Sequence, residues 1–389
     1  MTTGFTPARA RHLAVFFAAL LLISAVSLRA QPAPQTQPAP QAQTAQSVST
    51  RSGAEIYRAA CETCHGPDGK GSPLTTVGFA APLPDFTDCA FATTEPDPDW
   101  QAVVHEGGPI RGLDRHMPAF GEALTADEIA RAVTHLRAFC GDASWPRGDL
   151  NLPRAFFTEK AFPENEVIWT TAIDTGSLGA VQNTIIYERR MGARNQVEVN
   201  VPIDFRQSSS DTWNRGLGDI AFAFKRTFHA SFNRGTIGAA GLEVILPTGK
   251  EDEGLGGGAT VIEPFVLWGQ MLTRNNFVQF HAGAELPAGD SSASKEVFVR
   301  AAYGATLAQD RGFGRAWSPQ MEVLWARPEG GASEWDAVPQ VQVTLSKLQH
   351  VMVAGGARIP LTQRQERSTQ VLVYLLWDWF DGGFFEFWK

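Results

Sequence analysis

From residue 166 onward, apolar and polar side chains alternate. In "NQVEVNVPIDF", 195–205, Val197, Val199, Val201, Ile203 and Phe205 share one face, and Glu198, Asn200 and Asp204 share the other. "GDIAFAFKRTF", 218–228, sets Ile220, Phe222, Phe224 and Phe228 against Asp219 and Lys225. Side chains of an extended chain point alternately to its two faces, so a period of two predicts β-strands. About twelve such segments begin near residues 166, 182, 195, 218, 236, 258, 276, 295, 317, 335, 349 and 369. At roughly 9 to 13 residues each, they suit tilted strands crossing a bilayer.

If the first strand rises from the periplasm, the outward connections are 175–181, 207–217, 247–257, 287–294, 327–334 and 361–368. The inward turns are 191–194, 229–235, 271–275, 309–316 and 347–348. The outward set is longer and richer in Ser, Gly and charge, as in bacterial outer-membrane barrels. An even strand count returns the C-terminus to the starting side, and aromatic residues gather at strand ends. A soluble β-sandwich would alternate in the same way, so the period alone leaves both architectures open.

Between 51 and 146 the period is helical. "SGAEIYRAACETC" opens on Ser52 as N-cap and carries Ile56 and Tyr57. "TADEIARAVTHLRAFC" pairs Thr125 with Glu128 as a capping box and lines up Ile129, Val133, Leu136 and Phe139. These stretches predict the two terminal helices of a small all-α domain.

The first thirty residues read as a secretory signal. Arg9 and Arg11 precede a 14-residue apolar core, 13–26, and "SLRA" ends at Ala30. That core falls short of the roughly 20 residues a spanning helix needs. Residues 31–50, rich in Pro, Gln and Ala, form an extended tether. The expected organisation is signal peptide 1–30, linker 31–50, helical domain 51–146, connector 147–164 and barrel 165–389. With three prolines between 141 and 164, the link is short and stiff, which should keep the helical domain at the barrel mouth.

Composition narrows the classes. Charged residues at 19% and hydrophobic residues at 43% suit neither a disordered chain nor a helical membrane protein. Residues 1–50 carry a net +3, 51–150 a net −7 and the remainder −4. The absence of a basic patch argues against nucleic acid, and the acidic block suits a partner with some positive surface.

The chemistry lies in the helical stretch. Cys61 and Cys64 form C-x-x-C, followed at once by His65, the attachment pattern of a c-type haem. The spacing presents two thiols to the two vinyl groups and brings an imidazole to the iron. A zinc site would need a second ligand pair, which is missing. Met117, in "RHMPAFG", is the only methionine between 51 and 150 and is the candidate sixth ligand. His105 and His116 are its rivals, while His135 sits inside the terminal helix. In an exported chain, Cys89 and Cys140 are candidates for a structural disulfide. No catalytic triad, phosphate loop or H-E-x-x-H motif occurs, which points to an electron carrier rather than a conventional enzyme. Glu251–Asp252–Glu253, His281 and Glu285 could bind cations, but a solvated loop and a polar barrel interior are the plainer reading.

"YRAACETCHGPDGKG" through "HMPAFGEALTADEIARAVTHLRAF" resembles class I monohaem cytochrome c. The resemblance implies one haem c held by Cys61, Cys64, His65 and Met117, with His65 and Met117 as axial iron ligands. "GLGDIAFAFKRTF" and "GLEVILPTGKEDEGLGGGATVIEPFVLW" resemble the meta-pathway phenol-degradation-like outer-membrane proteins, which implies a barrel and passage of hydrophobic compounds. The ending departs from the usual outer-membrane pattern, with Trp388 penultimate and Lys389 last. The combination is similar in architecture to fused cytochrome–porins.

The expectation is therefore a multidomain chain: a small all-α cytochrome c domain followed by an antiparallel transmembrane β-barrel of about twelve strands. It would sit in the bacterial outer membrane, with the haem domain on the periplasmic side or at the barrel mouth. Its partner would be a redox protein or a small redox molecule. Two alternatives stay open: a transporter for small hydrophobic molecules with a tethered redox module, and a soluble periplasmic redox protein built on a sandwich.

Overall fold

The structure, a computed structural model, describes residues 50–80, 83–176, 179–208, 212–289, 294–307 and 316–378. The expected signal peptide, all but the last residue of the linker, and the chain end with Trp388 and Lys389 lie outside the described residues.

The helical domain contains α1 (Gly53–Ala60), α2 (Glu62–His65), α3 (Leu74–Val77), α4 (Cys89–Ala92), α5 (Asp97–Glu106) and α6 (Ala126–Arg137). Both expected caps form. Ser52 and Glu55 make a capping box on α1, and Thr125 and Glu128 make one on α6. The two helices cross at Gly53, where a Cβ would fall 2.2 Å from the Arg131 carbonyl oxygen. One core cluster joins Ile56, Val104, Leu124, Ile129, Ala132 and Val133, and a second joins Tyr57, Phe86 and Leu136. Each fully buried side chain of this size contributes roughly 1.5–3 kcal/mol.

The strands are β1 (Glu166–Asp174), β2 (Ala180–Met191), β3 (Asn195–Gln207), β4a (Trp213–Leu217), β4b (Ala221–Ser231), β5 (Thr236–Ile245) and β6 (Val261–Met271). They continue with β7 (Asn276–Pro287), β8 (Glu296–Ala305), β9 (Trp317–Pro328), β10 (Glu334–Thr344), β11 (Val351–Pro360) and β12 (Gln370–Asp378). β4a and β4b both pair with β3 and are two parts of one interrupted strand, so the sheet has twelve positions. β1 pairs with β2 on one side and β12 on the other, which closes the ring. Closure removes the free edges that hydrocarbon could not satisfy. Among the described residues no helix is long and apolar enough to cross a membrane, so any crossing falls to the strands.

The expected loop 207–217 is corrected. Gln207 pairs with Trp213 and Ile203 with Leu217, so residues 213–217 prolong the β3–β4 hairpin beyond the break at 218–220. Gly216 in this run reads as a loop signal, but its ladder pairing with Asp204 overrides it, and Gly218 falls in the break. The period-two faces divide as expected. Phe222, Phe224, Phe228, Val266 and Tyr303 are exposed on the outside, whereas Gln196, Glu198, Lys225, Gln279 and Glu322 are buried inside. An apolar exterior around a polar interior defines a transmembrane barrel.

The connector enters the barrel. Residues 150–164 fold into the lumen and are bonded to its wall. The backbone N–H groups of Phe156 and Thr158 donate to the Glu322 carboxylate at 3.0 and 2.7 Å. The Arg154 carbonyl accepts from Gln320 at 3.0 Å and from the Tyr374 hydroxyl at 2.9 Å. Lys225 donates to the Lys160 carbonyl, Thr227 to that of Ala161 and Arg300 to that of Phe157. Leu150, Ala161 and Phe162 pack on Ile237, Ala239, Phe265 and Leu267. Phe156 packs beside Ile168 and Tyr374, and Phe157 beside Leu324 and Leu372. A buried backbone must find hydrogen-bond partners, and here the inward polar side chains of the barrel supply them. The stiff linker expected at this place is therefore an internal strap.

Candidate functional site

The site grows from the end of α1. Cys61 follows the helix, and α2 then carries Cys64 and His65 through one more turn. The Cys64 and His65 amides both donate to the Cys61 carbonyl, at 3.1 and 2.9 Å. Gly66, at φ 76°, lets the chain turn away directly after His65, and the buried Tyr57 hydroxyl donates to its carbonyl at 2.5 Å. These bonds fix both thiols and the imidazole on one short rigid turn.

His65 packs against Phe86, with ring centroids 5.0 Å apart, and Phe86 packs against Trp100 at 5.4 Å. Trp100 and Met117 both pack on the Ile56–Val104–Ile129 cluster. The loop carrying Met117 is pinned at its base. Gly108 donates to the Met117 carbonyl at 3.0 Å, and Phe120 donates to that of Val104 at 2.9 Å. His65, at the end of α2, and Met117, in the loop before α6, are thus linked through Phe86, Trp100 and the cluster that Trp100 and Met117 share. The rival histidines are engaged elsewhere. His105 Nδ1 lies 2.5 Å from Glu106, and His116 lies 2.7 Å from Asp114 and stacks on Phe79. His135 packs against Tyr57 and Phe139.

This set fits a haem. Cys61 and Cys64 carry free thiols, whereas Cys89 and Cys140 are joined to each other across 51 residues of sequence. The Nδ1 atom of His65 is buried without a protein partner. Burial lowers the His65 pKa and keeps its imidazole in the neutral, ligating form. Burial, and then the neighbouring Cys64, push the Cys61 thiol up to about 11. The surroundings are apolar and aromatic, as a porphyrin requires.

A second constellation joins the domains. His350, on the turn before β11, places Nε2 3.2 Å from Glu95 of the helical domain and Nδ1 3.7 Å from Asp378 at the end of β12. Burial opposes the charge on Glu95. The His350 hydrogen bond and the charges of Arg137 and Arg111 outweigh it and hold the carboxyl below its ordinary range. Nearby, burial pushes Asp99 up to about 6 despite its 2.6 Å pairing with Arg111. Arg194, on the β2–β3 turn, donates to the Ser144 carbonyl at 2.7 Å, and Arg147 lies 4.0 Å over the Phe232 ring. A cavity of about 700 Å³ remains between the helical domain, the strap and these turns. Sequence reading expected the helical domain at the barrel mouth but named none of the residues that hold it, because they are scattered over more than 250 positions and belong to no motif. A signal for the strap was nevertheless present. Phe156, Phe157, Phe162, Arg154 and Lys160 are costly residues for a hydrated tether.

The comparisons agree with the first half of the fold. Residues 48–136 match the family described as cytochrome C oxidase, cbb3-type, subunit III. The chain is thus a cytochrome c domain fused to a transmembrane β-barrel. No curated protein matches it. Its barrel is similar to that of an outer-membrane channel from Pseudomonas putida F1, at 12% identity and a TM-score of 0.41 over 59% of this chain and all of the other. It is also similar to the KdgM porin, at 10% identity and a TM-score of 0.37 over 55% of this chain and 99% of the porin. Likeness at these scores carries no argument about function, and the barrel rests on its own strand pairing.

Proposed function

We propose that the chain is an electron-transfer protein of the outer membrane, whose barrel holds a single c-type haem at the periplasmic mouth. Cys61 and Cys64 would form the two thioethers, and His65 and Met117 would be the axial ligands. The bound haem supplies one reversible electron per turnover. The chain's own residues determine how it does so. Phe86, Trp100 and Tyr57 exclude water from the His65 side, and the pinned 108–120 loop holds Met117 in place. Held by the Met117 thioether as well as the His65 imidazole, the iron would be favoured in its reduced state and its potential raised.

The observation that carries this reading is the interface. Glu95–His350, Ser144–Arg194 and the strap leave the cytochrome domain little freedom to roam. Its redox partner would then be met on the side where the domain sits. The alternative, a transporter for small hydrophobic molecules, has the filled lumen against it.

Two measurements test the proposal. In liposomes with the far end of the barrel outward, a membrane-impermeant external oxidant should exchange with the haem slowly or not at all, and a permeant mediator should exchange quickly. Fast exchange with the impermeant dye would remove the clamped-mouth reading, and exchange with neither would favour the transporter. Met117→Ala should abolish the weak far-red band of a methionine–ferric bond. It should also lower the potential by on the order of 100 mV, within the roughly 0.8 V that axial ligands span. An unchanged spectrum would assign the sixth position to His105 or His116.

A further inference from the structure

Beyond the strap, at the end of the barrel away from the helical domain, four glutamates stand in a row on adjacent strands. Glu243 of β5 pairs directly with Glu263 of β6, and Glu285 of β7 pairs directly with Glu296 of β8. Ile262 pairs with Leu286, so Glu263 and Glu285 are at the same level. Their strand neighbours Leu242, Ile262, Leu286 and Val297 are exposed on the lipid side, so all four carboxylates face the lumen. Like charges directly opposite one another destabilise a sheet, so the row opposes folding unless something neutralises it.

Among the described residues none of the four has an ion-pair partner, and only Glu243 has a hydrogen bond, from the Asn200 amide at 3.3 Å. Glu263, near the middle of the row, is only 7% exposed, and its carboxylate has no hydrogen-bond or ion-pair partner among the described residues. Arg300 stands two inward positions nearer the mouth, and its guanidinium is occupied by the Phe157 carbonyl, His281 and the Phe298 ring. Glu243, Glu285 and Glu296 are partly exposed, so the row is open to the lumen.

We propose that this row binds a linear polyamine. Adjacent strands lie roughly 4.8 Å apart, so the row is a line of carboxylates about 14 Å long rather than a cage. Among the described residues no three His, Cys, Asp or Glu side chains converge closely enough to hold a metal ion. A chain of ammonium groups separated by three or four methylenes repeats near the strand spacing and can face one carboxylate after another. The strap closes the floor beneath, so the ligand would be held rather than conducted. This assignment is independent of the haem reading.

The test is titration calorimetry on the full, haem-loaded chain in detergent micelles, with spermidine and, separately, magnesium chloride at matched ionic strength. The variant is Glu263→Gln with Glu285→Gln, which removes charge but little shape and relieves repulsion, so folding is preserved. The control is Glu251→Gln with Glu253→Gln in the β5–β6 loop. Spermidine should bind at one site at least tenfold more tightly than magnesium. The row variant should lose at least tenfold of that affinity, while the control, the haem spectrum and the heat-modifiable gel mobility stay unchanged. Three results overturn the proposal: no heat with spermidine, equal affinity for magnesium, or an unchanged affinity in the row variant.

Discussion

A chain carrying Cys61→Ala together with Cys64→Ala should contain no haem that survives denaturation, while its barrel still assembles. The expected loss is complete, because no other free cysteine exists to form a thioether: Cys89 and Cys140 are bonded to each other. Haem staining of a denaturing gel reads the first outcome, and heat-modifiable mobility of the same band reads the second. Barrel assembly should survive because the strand ladder is continuous from β1 round to β12 without help from the helical domain. Haem retained on the gel would end the c-type assignment. Loss of the barrel along with the haem would mean that the two domains fold as one cooperative unit.

The second large effect is expected at Arg154. Its Nη1 donates to Glu166 at 2.9 Å and to Glu188 at 2.6 Å, and both carboxylates are about 1% exposed. Removing one partner of a buried ion pair leaves uncompensated charge, a loss of roughly 3–5 kcal/mol. Lys160 still reaches Glu166 at 3.2 Å, but Glu188 keeps only the Gln196 amide at 2.7 Å. Arg154→Ala should therefore lower the midpoint of the folded-to-unfolded gel shift in urea and raise single-channel conductance in planar bilayers. Restoring neutrality with Arg154→Met, Glu166→Gln and Glu188→Gln should recover most of the stability, because neutral side chains carry no desolvation penalty of comparable size. If Arg154→Ala changed neither midpoint nor conductance, residues 150–164 would not be bound in the lumen.

The sequence by itself determined what is local. A period of two gave strand starts within a few residues of those observed, because alternation of faces follows directly from extended backbone geometry. Even the broken β4 kept its alternation on both sides of the break. The capping pairs Ser52–Glu55 and Thr125–Glu128 could be read because each needs only three residues of spacing. Cys61, Cys64 and His65 could be read for the same reason: one helical turn carries the whole pattern. Tertiary structure decided whatever depends on residues far apart in the chain. Alternation is the same in a sandwich and a barrel, and only the pairing of β1 with β12 separates them. The strap looked like a linker because its partners, Glu322, Gln320, Tyr374 and Lys225, lie on strands up to 220 residues away. The Glu243–Glu263–Glu285–Glu296 row is invisible along the chain, where its members are scattered and ordinary. It arises only when barrel register sets four adjacent strands at one level, and register is a property of pairing between strands.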